Sequence, residues 1–117
     1  MKLLVEYPKC STCKTARKFL EENGFSFESR DIKEDRLNKE ELRELVTKSG
    51  LPIKKFFNTS GLKYKELNLK EKLLTMNEEE MLDLLASDGM LVKRPIFICD
   101  DQVVVGKKEK EYLALKK

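Results

Sequence analysis

The chain predicts a mixed α/β domain with strands near both ends and helices through its middle. Three observations carry that reading. Short apolar runs, "KLLVEY" near the start and "IFICDDQVVV" near the end, have the length and β-branched content of buried strands. Two segments between them begin at Asn and stop at Gly with helical apolar spacing. The length of 117 residues, with 40% hydrophobic content, suits one core and is short for two, so residues 1–117 are expected to form a single domain.

The elements follow in order. "KLLVEY" reads as a buried strand that Pro8 ends. Over residues 11–23, Ala16, Phe19 and Leu20 recur at helical spacing, and Asn23-Gly24 supplies the stop. "FSFESRDI" is an extended stretch with Phe25, Phe27 and Ile32 as its apolar points. "NKEELRELVTKSG" pairs an N-capping Asn38 with Glu41 three residues later and ends at Gly50. "NEEEMLDLLASDG" repeats the grammar: Asn77 caps, Glu80 completes the box, Met81, Leu82, Leu84 and Leu85 form the buried stripe, and Asp88-Gly89 ends it. The stretch between them reads as shorter helical pieces broken at Asn58-Thr59-Ser60-Gly61, so residues 35–88 form a helical block by pattern. "RPIFICDDQVVVG" is a hairpin turning at Asp100-Asp101. "KKEKEYLALKK" closes the chain as a charged helix docking through Tyr112, Leu113 and Leu115.

Composition excludes several functions. With 24 Lys plus Arg against 21 Asp plus Glu, the net charge of +3 lacks the field of a direct nucleic-acid binder. The first apolar run is too short for a signal-peptide core, and no stretch reaches membrane-spanning length, so a cytoplasmic protein is expected. The absence of histidine rules out an imidazole base or ligand.

"YPKCSTCKTARKFL" sets Cys10 and Cys13 three positions apart at a helix start. Cys10 precedes the helix that Ser11 opens, so unpaired backbone N–H groups and the positive end of the helix dipole favour its thiolate, with Lys9, Lys14 and Arg17 adding charge nearby. Cys13, one turn on, lies on the same face and can attack an adduct at Cys10, leaving an oxidised Cys10–Cys13 disulfide. Cys10 is thus assigned as nucleophile and Cys13 as resolving thiol of a redox-active centre. Two other readings stand beside this one. A zinc site would call for a second CxxC or a His pair, whereas only Cys99 remains. A structural disulfide would close a very small loop in a reducing compartment. No metal site is therefore expected, and Cys99, in an apolar strand, is read as a core residue. In "VKRPIF", Pro95 is either a strand-entry proline or a cis-proline beside the thiols, and Arg94 is either an oxyanion ligand or one solvated charge among many.

At "YPKCSTCKTARKFL", "FFNTSGLKYKELNLKEKL" and "LLASDGMLVKRPIF", the chain resembles the ArsC/Spx family of arsenate-reductase-like proteins and redox-responsive regulators, over nearly its whole length. The resemblance implies a thioredoxin-like (glutaredoxin-like) mixed sheet, its core at about 1–34 and 89–117, with a helical insertion at about 35–88. It puts Cys10 in the place of the family nucleophile and Pro95 in that of its cis-proline. It implies an oxyanion such as arsenate held by Arg94 and by the helix N–H groups around Ser11 and Thr12, with Pro95 and Lys107 at the same site. "FFNTSGLKY" lacks an arginine usual in the reductases, and Lys107 and Lys108 stand where another is expected; lysine attracts an oxyanion without gripping it bidentately. Cys13 matches the dithiol members and Spx. The implied function is a thiol–disulfide oxidoreductase, an arsenate reductase with no bound cofactor. Its electron donor would be glutathione with glutaredoxin, or thioredoxin, and a protein disulfide is the other candidate substrate. The other implied function is an Spx-like regulator binding the C-terminal domain of the RNA polymerase α subunit. Gly50 lies near the glycine used at that contact, although a helix C-cap explains it equally.

Overall fold

The computed structural model describes residues 1–115; Lys116 and Lys117 of the charged C-terminal segment lie outside the described residues. In chain order, the first half contains β1 (Lys2–Glu6), α1 (Ser11–Glu22), β2 (Glu28–Asp31), α2 (Lys39–Ser49) and a 3-10 turn at Ile53–Phe56. Then come α3 (Leu62–Glu66), α4 (Leu69–Lys72), α5 (Glu78–Ser87), a 3-10 turn at Gly89–Leu91, β3 (Ile96–Cys99), β4 (Gln102–Val105) and α6 (Glu109–Ala114). The chain divides into two units, Met1–Asp31 with everything from Arg94 onward, and Ile32–Lys93.

The first unit is a four-stranded mixed sheet in the order β2-β1-β3-β4. β1 and β2 run parallel because α1 crosses between them, whereas β3 lies antiparallel to both β1 and β4. The β3–β4 turn places Asp100 at φ 56, a left-handed conformation that Asp tolerates better than most side chains. Strand alternation sends Leu4, Phe97, Cys99 and Val104 to one face, where they bury against Ala16 and Leu20 of α1 and Tyr112 of α6. The Phe97 ring is met edge-on by Phe25, Phe27 and Tyr112 at centroid distances of 5.5, 5.8 and 5.8 Å. Each such pair adds about 0.5–1.5 kcal/mol beyond area burial.

Two details of this unit differ from the sequence pattern. Pairing in β2 begins only at Glu28, so Phe25 and Phe27 pack on the core from the loop before it. Of the closing helix's three docking residues, Tyr112 is fully buried and Leu115 partly so, but Leu113 is exposed. A helix this short presents one narrow face, and Leu113, next to Tyr112, points some 100° away from it.

In the second unit, α2 and α5 each start with a complete capping box. Asn38 Oδ1 accepts from Glu41 N while Glu41 Oε1 accepts from Asn38 N, at 2.8 and 2.9 Å, and Asn77 with Glu80 reproduces those distances. α2 ends at Gly50, whose φ of 70° is strained for a residue bearing a Cβ. α2 buries Leu42, Leu45 and Val46; α5 buries Met81, Leu82 and Leu85, while Leu84 is only half-buried, at the edge of the stripe. A Cβ on Gly89 would lie 1.9 Å from the Ile32 carbonyl oxygen, so the chain can turn out of α5 there only with glycine. The block is not purely helical: Phe57 bridges Val92 antiparallel, with Asn58 N donating to Leu91 O and Lys93 N to Phe56 O. Among the described residues, no helix is long and apolar enough to cross a membrane.

Candidate functional site at the start of the first helix

The loop from β1 into α1 is folded by its own backbone. Cys10 N donates to Tyr7 O at 3.0 Å, closing the turn through Pro8 and Lys9, and Cys10 takes the N-cap position with extended φ and ψ of −87° and 122°. α1 has no acidic residue in its first turn and no side chain capping it with full hydrogen-bond geometry. Its leading N–H groups therefore face the Cys10 sulfur without a competing oxygen. Cys13, three residues on, is completely buried, and the Tyr7 N–H donates to its Sγ at 3.5 Å. All three cysteines are free thiols.

The two sulfurs at the helix start differ in electrostatics. Burial pushes the Cys10 thiol up, but the Cys13 N–H, the Cys13 thiol, the Arg94 guanidinium and the Thr12 N–H together outweigh it, and the group ends below the ordinary thiol value. Cys13 moves the other way, to about 12. Its burial dominates; the Tyr7 N–H and Arg94 pull down, while the hydrogen bond to Cys10 and the charge on Cys10 push up. The result is one partly exposed thiolate beside one protected thiol.

Arg94, which acts on both sulfurs, stacks its guanidinium over the Tyr7 ring at 5.3 Å from the centroid. The Arg94–Pro95 peptide is cis, and Pro95 stands directly before β3, so the residue is at once a cis-proline and a strand-entry proline. The segment is tied to the rest of the sheet unit: Gly106 N donates to Pro95 O at 2.7 Å, and the buried Tyr112 hydroxyl donates to Gly106 O at 2.8 Å.

The structure thus gathers Cys10, Cys13, Thr12 and Arg94. Ser11 is exposed in the first turn, and its carbonyl accepts from Thr15 Oγ1. Lys107 is exposed and pairs with Glu109 at 3.6 Å, and no contact links it to the sulfurs. The charge expected from Lys9, Lys14 and Arg17 is not what acts on Cys10: both lysines are exposed, and Arg17 is committed elsewhere. Its Nε and Nη2 grip Glu6, which is 3% exposed and also accepts from Ser29 Oγ at 2.5 Å; the guanidinium lies 5.5 Å from the Phe27 centroid. Sequence reasoning missed Tyr7 and Glu6, and read Tyr112 only as a docking residue, without its hydroxyl bond to Gly106 O. "VEYP" offered the signal for the first two, a carboxylate and an aromatic where a strand meets the cysteine turn, but neither partner is adjacent in sequence. Among the described residues, no group of three or more Cys, Asp or Glu side chains is arranged to hold a metal ion.

Comparison with known proteins is consistent with this geometry. Residues 5–115 match the model of the ArsC family. YusI of Bacillus subtilis, an uncharacterised protein, is 58% identical over 91% of this chain and 90% of its own length. The crystal structure of an ArsC-family-related protein from Bacteroides fragilis superposes with a TM-score of 0.96 at 50% identity, covering 98% of this chain and 97% of that one. A possible arsenate reductase from Streptococcus mutans gives 0.87 at 41%, covering 97% and 98%. At 29% identity over 95% of this chain and 83% of its own length stands the global transcriptional regulator Spx of Enterococcus faecalis.

Proposed function

The chain belongs to the ArsC family and carries its thioredoxin-like fold, and we propose that it is a cytoplasmic thiol–disulfide oxidoreductase acting as an arsenate reductase. The observation that carries this reading is the split between the two thiols: Cys10 partly exposed and held below the usual thiol range, Cys13 buried and raised to about 12. A nucleophile must be ionised and reachable, whereas a resolving thiol must stay protonated until its target is formed.

In the proposed reaction, arsenate binds against Arg94 and the N–H groups of Ser11 and Thr12. The Cys10 thiolate attacks arsenic and a hydroxide leaves as water, giving a sulfur–arsenic bond. Cys13 then loses its proton to solvent and attacks the Cys10 sulfur. The sulfur–sulfur bond forms, the sulfur–arsenic bond breaks with its electron pair on arsenic, and arsenite departs. The Cys10–Cys13 disulfide is returned to two thiols by the dithiol of glutaredoxin, recharged by glutathione, or by that of thioredoxin. A protein disulfide would be reduced by the same two attacks, with a thiolate as leaving group.

NADPH consumption dependent on arsenate tests this, with glutaredoxin plus glutathione and thioredoxin supplied separately. Turnover that Cys10→Ser abolishes is the expected result. Absence of turnover with every donor, from protein whose Cys10 still reacts with iodoacetamide, would overturn the arsenate step.

A second reading is favoured by the regulator named among the relatives and by the Cys10–Cys13 pair, which the resemblance matches to Spx-like proteins. There, Cys10–Cys13 oxidation would switch a surface for the C-terminal domain of the RNA polymerase α subunit, near Gly50, where a Cβ would meet no atom within 4 Å and the backbone is open to a partner. Capture of that domain in one redox state and not the other would support it; no capture in either would remove it.

A further inference from the structure

We infer that Tyr7 is a positioning residue of the thiol centre, its ring face holding the Arg94 guanidinium where that charge stabilises the Cys10 thiolate. The inference deepens the oxidoreductase reading and rests on it for its biological meaning, although its physical content concerns the protein alone.

Tyr7 meets both cysteines and Arg94. Its carbonyl accepts the Cys10 N–H at 3.0 Å, its N–H donates to Cys13 Sγ at 3.5 Å, and its ring lies 5.3 Å from the Arg94 guanidinium carbon. The two backbone contacts would survive any side chain. The ring contact would not, and it is the one that couples to charge. Arg94 Nε is buried and the ring is half-buried, so the cation–π attraction acts in a partly desolvated setting, where it is stronger than at an open surface. Arginine carries its charge at the end of a long stem, and the stabilisation it gives a thiolate depends on distance. A ring fixed to the same turn as both sulfurs limits how far the guanidinium can swing away from them. Pro95 constrains the other end of the side chain's anchor through its carbonyl bond to Gly106 N.

A merely structural tyrosine would be replaceable by any apolar side chain that fills its space. A ring that holds a cation must keep an electron-rich face. Replacing Tyr7 with Phe should therefore leave the Cys10 titration unchanged, because the face is retained. Tyr7→Leu should raise the Cys10 midpoint by about half a unit to one unit, lowering its iodoacetamide rate near neutral pH about 3- to 10-fold.

The test follows Cys10 alkylation by peptide mapping across the titration, in the full chain, without substrate. Phenylalanines carrying one, two and three ring fluorines at position 7 keep the shape while draining the ring face, so the fold is not at stake. The expected result is a stepwise rise of the Cys10 midpoint with fluorination that vanishes when Arg94 is replaced by Gln. A midpoint that ignores fluorination, or one that rises equally in the Arg94→Gln background, overturns the role. Because the readout is a titration, it stands apart from turnover: failure of arsenate reduction would leave this coupling measurable, and loss of the coupling would leave the reductase reading intact.

Discussion

α1 and the capped helices α2 and α5 begin in opposite ways. α2 and α5 enclose their first N–H groups in reciprocal Asn–Glu boxes and place Glu40 and Glu41, or three consecutive glutamates, in the first turn. α1 starts at Cys10, with no oxygen cap and no acidic residue. A cap of the first kind stabilises a helix by about 1 kcal/mol. α1 forgoes it, and the N–H groups so freed stabilise a sulfur anion instead. A missing cap is thus as informative as a present one: where cysteine stands at a helix start, the dipole is left for chemistry.

The largest break in this comparison is Cys10→Ser. Serine is a strong N-cap, so the variant should lose all thiol reactivity at position 10 and yet gain stability, by about 1 kcal/mol or less, read as a higher Tm. Next comes Cys13→Ser, which should trap mixed disulfides at Cys10, visible as adducts in intact mass. Arg94→Gln removes a charge that favours both thiolates. Its Cys10 iodoacetamide rate near neutral pH should fall about tenfold, equivalent to about one pH unit in the midpoint. The capped helices sharpen the contrast from the other side: Asn38→Ala and Asn77→Ala should each cost about 1 kcal/mol in urea unfolding and leave the Cys10 titration unmoved.

The smallest effect belongs to an ion-pair cluster in the second unit. Glu79 accepts from both Arg43 and Lys39, which hold its carboxyl down to about 2, yet Glu79 is exposed and neither cation is buried. The shift is a lowering, so the stability it supplies is complete above the ordinary carboxylate value and is lost as pH falls from there toward 2. Glu79→Gln should change Tm little at pH 7, and less still in high salt, because exposed pairs are screened.

Much of this was legible in the sequence, for local reasons. The Asn-x-x-Glu boxes and the Gly50 stop are contacts within one turn, so they can be read without knowing the fold. Cys10 at a helix start and Cys13 one turn on follow from the same local periodicity. What escaped depends on chain segments far apart. Arg17 looked like a neighbour of the thiols, but the buried Glu6 on β1, eleven residues back, claims it. The cation that does act on Cys10 comes from Arg94, brought there by pairing of β3 with β1. Lys107 was placed at the site by the resemblance; it faces Glu109 on its own helix start. Leu84 and Leu113 were assigned to buried faces because an apolar residue beside a stripe cannot be told from one within it until the partner surface is known.

One sequence motif holds two thiols of opposite character, and site-resolved alkylation of the wild-type protein across pH distinguishes them. With no histidine in the chain, no imidazole titration overlaps the measurement. Cys10 should be modified first, with a midpoint below the ordinary thiol value, while Cys13 should stay unmodified until the solution approaches pH 12. Equal midpoints at the two cysteines, or earlier reaction at Cys13, would contradict it.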